Sequence, residues 1–308
     1  MVYSKLIPNW KEYLEAKYWP TWIGLGILRL IALLPYQLQF WLGFFLGEIM
    51  YHLISKRRHI VEVNIDICFP ELSEQERAKI VRDHFHYLGL AVCETAIAWW
   101  ASERKIRSLV TFKGLQHIEK ALSDGKGAII MGAHYTTMEI SGCFITLDRK
   151  FAVSYRPFNN QLMNEITYNA RKRIFDRIFE RTEIRQTYRY IKGNHLMWIA
   201  ADQDMGHKQH SVYAPFFGHA AATQTVPSRM AKVTEAPVIP YQSRCLPNAK
   251  GYEFEFFPPL ENFPGQSLEE DAALTNKVLE DIIRISPEQY LWVHRRFKTQ
   301  PDGKNLYQ

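Results

Sequence analysis

Short apolar runs that alternate with amphipathic stretches constrain this chain most. Residues 127–134 read GAIIMGAH, an apolar run of strand length. KFAVSYRP at 150–157, HLMWIAADQD at 195–204, APVIPYQSRC at 236–245 and YEFEFFPPL at 252–260 are further candidate strands. NNQLMNEITYNARKRIFDRIFE, residues 159–180, reads as one amphipathic helix, and residues 268–285 also look helical. Upstream, Ser73 with Glu76 forms a capping-box pattern, so a helix is expected to start there and run through Trp100. Strands alternating with helices predict an α/β fold with a central, mostly parallel sheet flanked by helices. The 308 residues allow one or two domains, with no repeat and no clear interdomain linker.

Residues 21–54, TWIGLGILRLIALLPYQLQFWLGFFLGEIMYHLI, are the most apolar part of the chain. Arg29 and Glu48 interrupt the run, and Pro35 breaks or kinks a helix. Three forms follow: one anchor that spans or dips into a bilayer, two amphipathic helices in the interface, or a buried helical hairpin. Trp10, Trp19, Trp22, Trp41, Tyr18, Tyr36 and Tyr51 suit the interfacial zone, and Lys56, Arg57 and Arg58 suit anionic headgroups. An N-terminal membrane-anchoring helical segment over 1–56 and a catalytic domain over 57–308 are therefore expected. The net charge of +6 favours an anionic partner such as a membrane surface or an acidic protein. No run of five like charges reads as a nucleic-acid tail. Cys68, Cys93, Cys143 and Cys245 have no zinc-site or disulfide-framework spacing and read as reduced, buried thiols.

The chemistry-bearing pattern is HYTTME at 134–139. In one continuous helix, five residues advance about 500°, which would turn His134 and Glu139 apart. They meet only if His134 ends the strand and Glu139 lies in the first turn of the following helix. There a neutral imidazole can take a proton from an attacking hydroxyl, and a carboxylate on its other nitrogen orients it. The helix start also offers amides to an oxyanion or phosphate. Taken alone, a His-x-x-x-x-Glu spacing is weak. Asp202 and Asp204 end another candidate strand, at an edge where such folds place their sites. His84 and His86 fall on different helix faces, and His207, His210, His219 and His294 lack ligand spacing, so no metal or other cofactor is expected. The absence of a G-x-S-x-G elbow argues against an α/β-hydrolase.

Seven segments together resemble the lipid A late acyltransferases, the lauroyl and myristoyl transferases of Gram-negative bacteria, within the His-x4-Asp/Glu glycerolipid acyltransferases. They are NIDICFPELSEQER (64–77), GAHYTTME (132–139), YRPFNN (155–160), NARKR (169–173), DQD (202–204), APFFGHAAATQT (214–225) and PEQYLWVHRRFK (287–298). The resemblance implies transfer of a fatty acyl chain from acyl carrier protein to a hydroxyl on an acyl chain of a Kdo-bearing lipid A precursor. It implies His134 as general base with Glu139 as its orienting partner, at the cytoplasmic face of the inner membrane. Glu139 stands where the wider superfamily usually has Asp. Arg156 and Arg171 match basic positions that hold phosphate or polarise the thioester, or else form salt bridges. Asp204 is expected to face the site more than Asp202. Arg295, Arg296 and Lys298 are expected to meet the carrier or lipid phosphates. A different glycolipid or phospholipid acceptor, a hydrolase and a non-catalytic membrane-binding protein are the alternatives.

Overall fold

The computed structural model describes residue 7, residues 10–206 and residues 210–308; His207 and residues 1–6 of the N-terminal segment lie outside them. In chain order the elements are α1 (Trp19–Ile31), α2 (Tyr36–Leu53), α3 (Ser55–Cys68), α4 (Glu74–Trp100), α5 (Glu103–Arg107), β1 (Val110–Lys113), α6 (Leu115–Ser123), β2 (Ala128–Gly132), α7 (Met138–Ile145), β3 (Phe151–Tyr155), α8 (Gln161–Ile174), β4 (Arg177–Glu180), α9 (Ile184–Lys192), β5 (Leu196–Ala200), β6 (Ser211–Phe216), β7 (His219–Gln224), α10 (Val226–Thr234), β8 (Val238–Cys245), β9 (Tyr252–Phe256) and α11 (Leu268–Ile283). The expected capping box forms: Ser73 Oγ accepts from the Glu76 amide, and the Glu76 carboxylate accepts from the Ser73 amide.

A seven-stranded sheet in the order β1-β9-β8-β2-β5-β3-β4 forms the centre. β8, β2, β5, β3 and β4 run parallel to one another. β9 is antiparallel to β8, and β1 is parallel to β9. β6 and β7 form a separate antiparallel hairpin. This is the expected α/β architecture. The strands point alternate side chains to opposite faces. Ile130 joins a core with α1, α2, α4, α7 and α8, while Ile129 and Met131 join another with α3, α9, α10 and α11.

Two local expectations change. The 159–180 stretch is not one helix: α8 ends at Ile174, and Arg177–Glu180 becomes the edge strand β4. The apolar N-terminal run divides into α1 and α2 just before Pro35, which precedes the first residue of α2. No helix among the described residues is long and apolar enough to cross a membrane, so the expected spanning anchor has no support. The buried face of α2 packs instead against α4 through small residues. A Cβ on Gly89 of α4 would lie 2.2 Å from the Gly47 nitrogen, and one on Gly43 would lie 2.5 Å from the Leu90 Cα. The two backbones touch because no side chain intervenes. All four cysteines are free and buried.

Candidate active site

His134 lies two residues beyond the carboxyl end of β2, and Asp202 lies two beyond the carboxyl end of β5. The parallel register pairs Gly132 with Ala200, so its continuation sets these two residues side by side. His134 Nδ1 is 2.8 Å from Asp202 Oδ1, and the His134 amide donates to Asp202 Oδ2 at 3.1 Å. One carboxylate therefore grips both the ring and the main chain of the histidine. With Nδ1–H directed at Asp202, Nε2 is left to accept a proton.

Further contacts fix the histidine from the other side. The His134 carbonyl accepts from the Leu291 amide at 2.8 Å, and the Thr136 amide donates to the Gln289 carbonyl at 2.9 Å. The C-terminal segment is held in turn by Asn64, whose amide donates to the Trp292 and His294 carbonyls at 2.7 and 2.8 Å. Two of the sequence segments, NIDICFPE and PEQYLW, thus act as a clamp for the third. The start of α7 is tied to β8 where Ser141 Oγ donates to Ser243 Oγ at 2.6 Å and Thr137 Oγ1 donates to the Ser243 carbonyl at 3.2 Å. The Met138 amide already donates to the Tyr135 carbonyl, so amides near this helix start are partly committed.

Asp202 is 2% exposed. Burial alone would raise its pKa, but the charge of His134 and the donors from the His134 ring and amide outweigh it, bringing the carboxyl to about 2. Burial disfavours the charged imidazole of His134, yet the charge and hydrogen bond of Asp202 hold its pKa above the ordinary value. The ring of His294 stands 5.8 Å from that of His134, and burial together with His134 pushes the His294 pKa down. The pair therefore has one favoured proton acceptor.

Glu139 lies in the first turn of α7, as the spacing required, but its carboxylate pairs with Arg171 of α8. The expected contact between Glu139 and His134 is thus replaced by one with Asp202, because the β5 neighbour reaches Nδ1 directly. The Arg171 guanidinium also sits 5.6 Å from the centre of the Tyr155 ring. Arg171 accordingly makes the salt bridge that was one of its two readings.

Asp204, expected to face the site, instead accepts from the Gly206 amide and from the amide and hydroxyl of Thr299, stapling the C-terminal segment. Arg156 is exposed in the loop after β3. Arg295 is exposed and lies over the Tyr307 ring at 5.7 Å; Lys298 is also exposed. Arg296 is 2% exposed and donates to the Ala222 carbonyl, Thr223 Oγ1 and Asn276 Oδ1. It cannot meet a carrier or a lipid phosphate, because the core encloses it.

A cavity of about 50 Å³ lies near the pair, although neither His134 nor Asp202 lines it. Glu139 and Arg171 form part of its wall, and Met138, Ile145, Ile174 and Phe175 give it an apolar lining. Trp198 separates it from the histidine: its ring is 6.3 Å from the His134 ring, and its Nε1 donates to Tyr241 Oη at 2.7 Å. Gly142 also lines the cavity, and a Cβ there would lie 2.7 Å from Phe175 Cζ.

A carboxylate-oriented histidine at the carboxyl edge of a parallel sheet, close to an apolar cavity, equips an enzyme that activates a hydroxyl or water near an apolar substrate. Sequence comparison narrows the class. Residues 8–299 match the family described as bacterial lipid A biosynthesis acyltransferase. The lipid A biosynthesis lauroyltransferase of Escherichia coli K12 is 35% identical over 94% of this chain and 95% of its own length. The palmitoleoyltransferase of the same strain is 33% identical over 96% of each chain, and the myristoyltransferase is 25% identical over 98% and 94%. The chain belongs to the bacterial lipid A biosynthesis acyltransferase family and is an acyltransferase.

Proposed function

We propose that this acyltransferase moves a fatty acyl chain of the lauroyl or myristoyl class from acyl carrier protein to a hydroxyl on an acyl chain of a Kdo-bearing lipid A precursor. His134 Nε2 takes the proton of the acceptor hydroxyl as its oxygen attacks the thioester carbon. The C–S bond then breaks, and the departing thiolate takes the proton from Nε2–H. Asp202 keeps Nδ1–H oriented and stabilises the imidazolium formed between the two steps. Glu139 acts through Arg171, holding the guanidinium at the wall of the apolar cavity, beside the thioester. The single observation that carries this reading is the His134–Asp202 contact at 2.8 Å. The relatives' acyl chains support the donor class.

We further propose that residues 1–56 hold the enzyme at the inner membrane, with the catalytic domain 57–308 on the cytoplasmic face. Support comes from Trp19, Ile23, Ile27 and Leu30 on α1 and Leu38, Trp41 and Phe45 on α2, each more than half exposed. Their three- and four-residue spacing makes an apolar stripe suited to lying in the interface, not to spanning it.

The test is transfer of a labelled acyl chain from acyl carrier protein to the lipid A precursor in detergent. His134→Ala is expected to lower the rate by about 10²- to 10⁴-fold, the usual range for a general base. Glu139→Gln is expected to cost less, since Arg171 stays in place but loses its counter-charge. Unchanged transfer by the His134→Ala protein would sink the mechanism, and thioester loss that ignores the lipid acceptor would identify a hydrolase.

A further inference from the structure

The outer face of α9 is not used by the site. Thr187 and Ile191 are its buried face, against the core that also holds α10 and α11. Arg185, Arg189 and Lys192 are exposed at intervals of four and three residues, so they share one helix face. Arg181, exposed in the turn before the helix, lies four residues earlier and leads back to the carboxyl end of β4. Among the described residues, none of these four forms an ion pair. Other arginines do find carboxylates: Arg82 with Glu48, Arg107 with Asp148, Arg149 with Glu119 and Arg284 with Glu71. A row of like charges that no neighbour neutralises projects a positive potential into solvent. Ile184, 49% exposed at the start of α9, adds an apolar contact within it.

The position of the row indicates what it meets. It begins at the edge of the sheet that carries His134 and Asp202. β4 stands two strands from β5, a separation of roughly 10 Å at the usual strand spacing. The charge of Arg181 is felt at His134, where it opposes protonation. α9 also packs on the opposite sheet face from α1 and most of α2, which carry the apolar stripe of the proposed membrane surface; only the C-terminal end of α2, through Met50 and Tyr51, reaches the core on the α9 side. A row of arginines on that side faces solution, not headgroups.

We propose that Arg181, Arg185, Arg189 and Lys192 form the docking surface for the acidic protein that presents the acyl thioester, which approaches from the side opposite the membrane. This rests on the carrier-bound donor proposed above, and it moves carrier recognition away from the segment containing the buried Arg296. The row guides the carrier by charge, Ile184 supplies a contact, and the thioester arm reaches the carboxyl edge of the sheet.

The test uses the full chain, a fluorescently labelled lauroyl-acyl carrier protein, and lauroyl-coenzyme A as a donor without a protein carrier. In the Arg185→Glu/Arg189→Glu double variant, carrier affinity by anisotropy is expected to weaken about tenfold or more. The ratio of KM for the carrier donor to KM for the coenzyme A donor is expected to rise by a similar factor. Added salt is expected to weaken carrier binding by the unaltered protein more than by the variant. The milder Arg185→Gln/Arg189→Gln variant, with its fold checked by circular dichroism, is expected to fall between. Equal carrier affinity in both proteins, an unchanged KM ratio, or a loss confined to anionic vesicles would overturn the assignment. If the carrier binds through this row yet yields no acyl chain while coenzyme A does, the donor reading fails and the docking surface stands.

Discussion

At the residue scale, the decisive contact joins His134 to Asp202. Asp202 favours the imidazolium, so His134 must lose its proton before it can act as base, and the rate should fall as pH drops through its raised pKa. The acid limb of kcat/KM is therefore expected above pH 6.5, the ordinary histidine value. Asp202→Asn removes the charge that sustains the shift. The limb should move to lower pH, and the plateau rate should fall by roughly 10²- to 10⁴-fold. A pH–rate profile checks both, and a limb that stays in place would rule out Asp202 as the cause. The histidine was legible from its place at a strand end. Its partner was not, because the local spacing offered Glu139 and the DQD motif offered two aspartates. Strand pairing sets Asp202 beside His134, and the docked C-terminal segment brings Thr299 to Asp204.

At the element scale, the crossing of α2 and α4 depends on the absence of side chains at Gly43, Gly47 and Gly89. Gly89→Ala forces a methyl group against the Gly47 backbone, which cannot yield without moving the helix. A loss of about 1–3 kcal/mol is expected, readable as a lower thermal midpoint. An unchanged midpoint would show that the helices separate freely. Most elements were legible from periodicity: β2, β3, β5, β8, β9, α4 and α11 all fall where the apolar pattern placed them. β4 was hidden because RIFE continues the helical rhythm of the residues before it, and only pairing with β3 selects the extended form. The β6–β7 hairpin was likewise unassigned, since its strands pair with each other outside the main sheet.

At the scale of the whole molecule, the sheet separates two surfaces of opposite character. One side carries α1 and α2 with their exposed apolar stripe, and the other carries α9 with its arginines. An Ile23→Lys/Phe45→Lys variant should bind anionic phospholipid vesicles more weakly by about tenfold or more, since burying each such side chain is worth about 1.5–3 kcal/mol and each added lysine recovers only about 1 kcal/mol at an anionic surface. Co-sedimentation with vesicles measures this, and equal binding would exclude the stripe as the contact. The amino-acid sequence by itself determined the α/β class, the family, the strand-end position of His134 and the apolar character of the first segment. These rest on local periodicity and on motif order, both of which survive without knowledge of distant contacts. Tertiary structure alone decided that Asp202 and not Glu139 bonds to His134 Nδ1, that Arg296 is enclosed, and that the apolar and basic surfaces lie on opposite sides. Each of those outcomes depends on which strands pair, in what register, and on which face of the sheet each helix packs. No single segment encodes that long-range geometry.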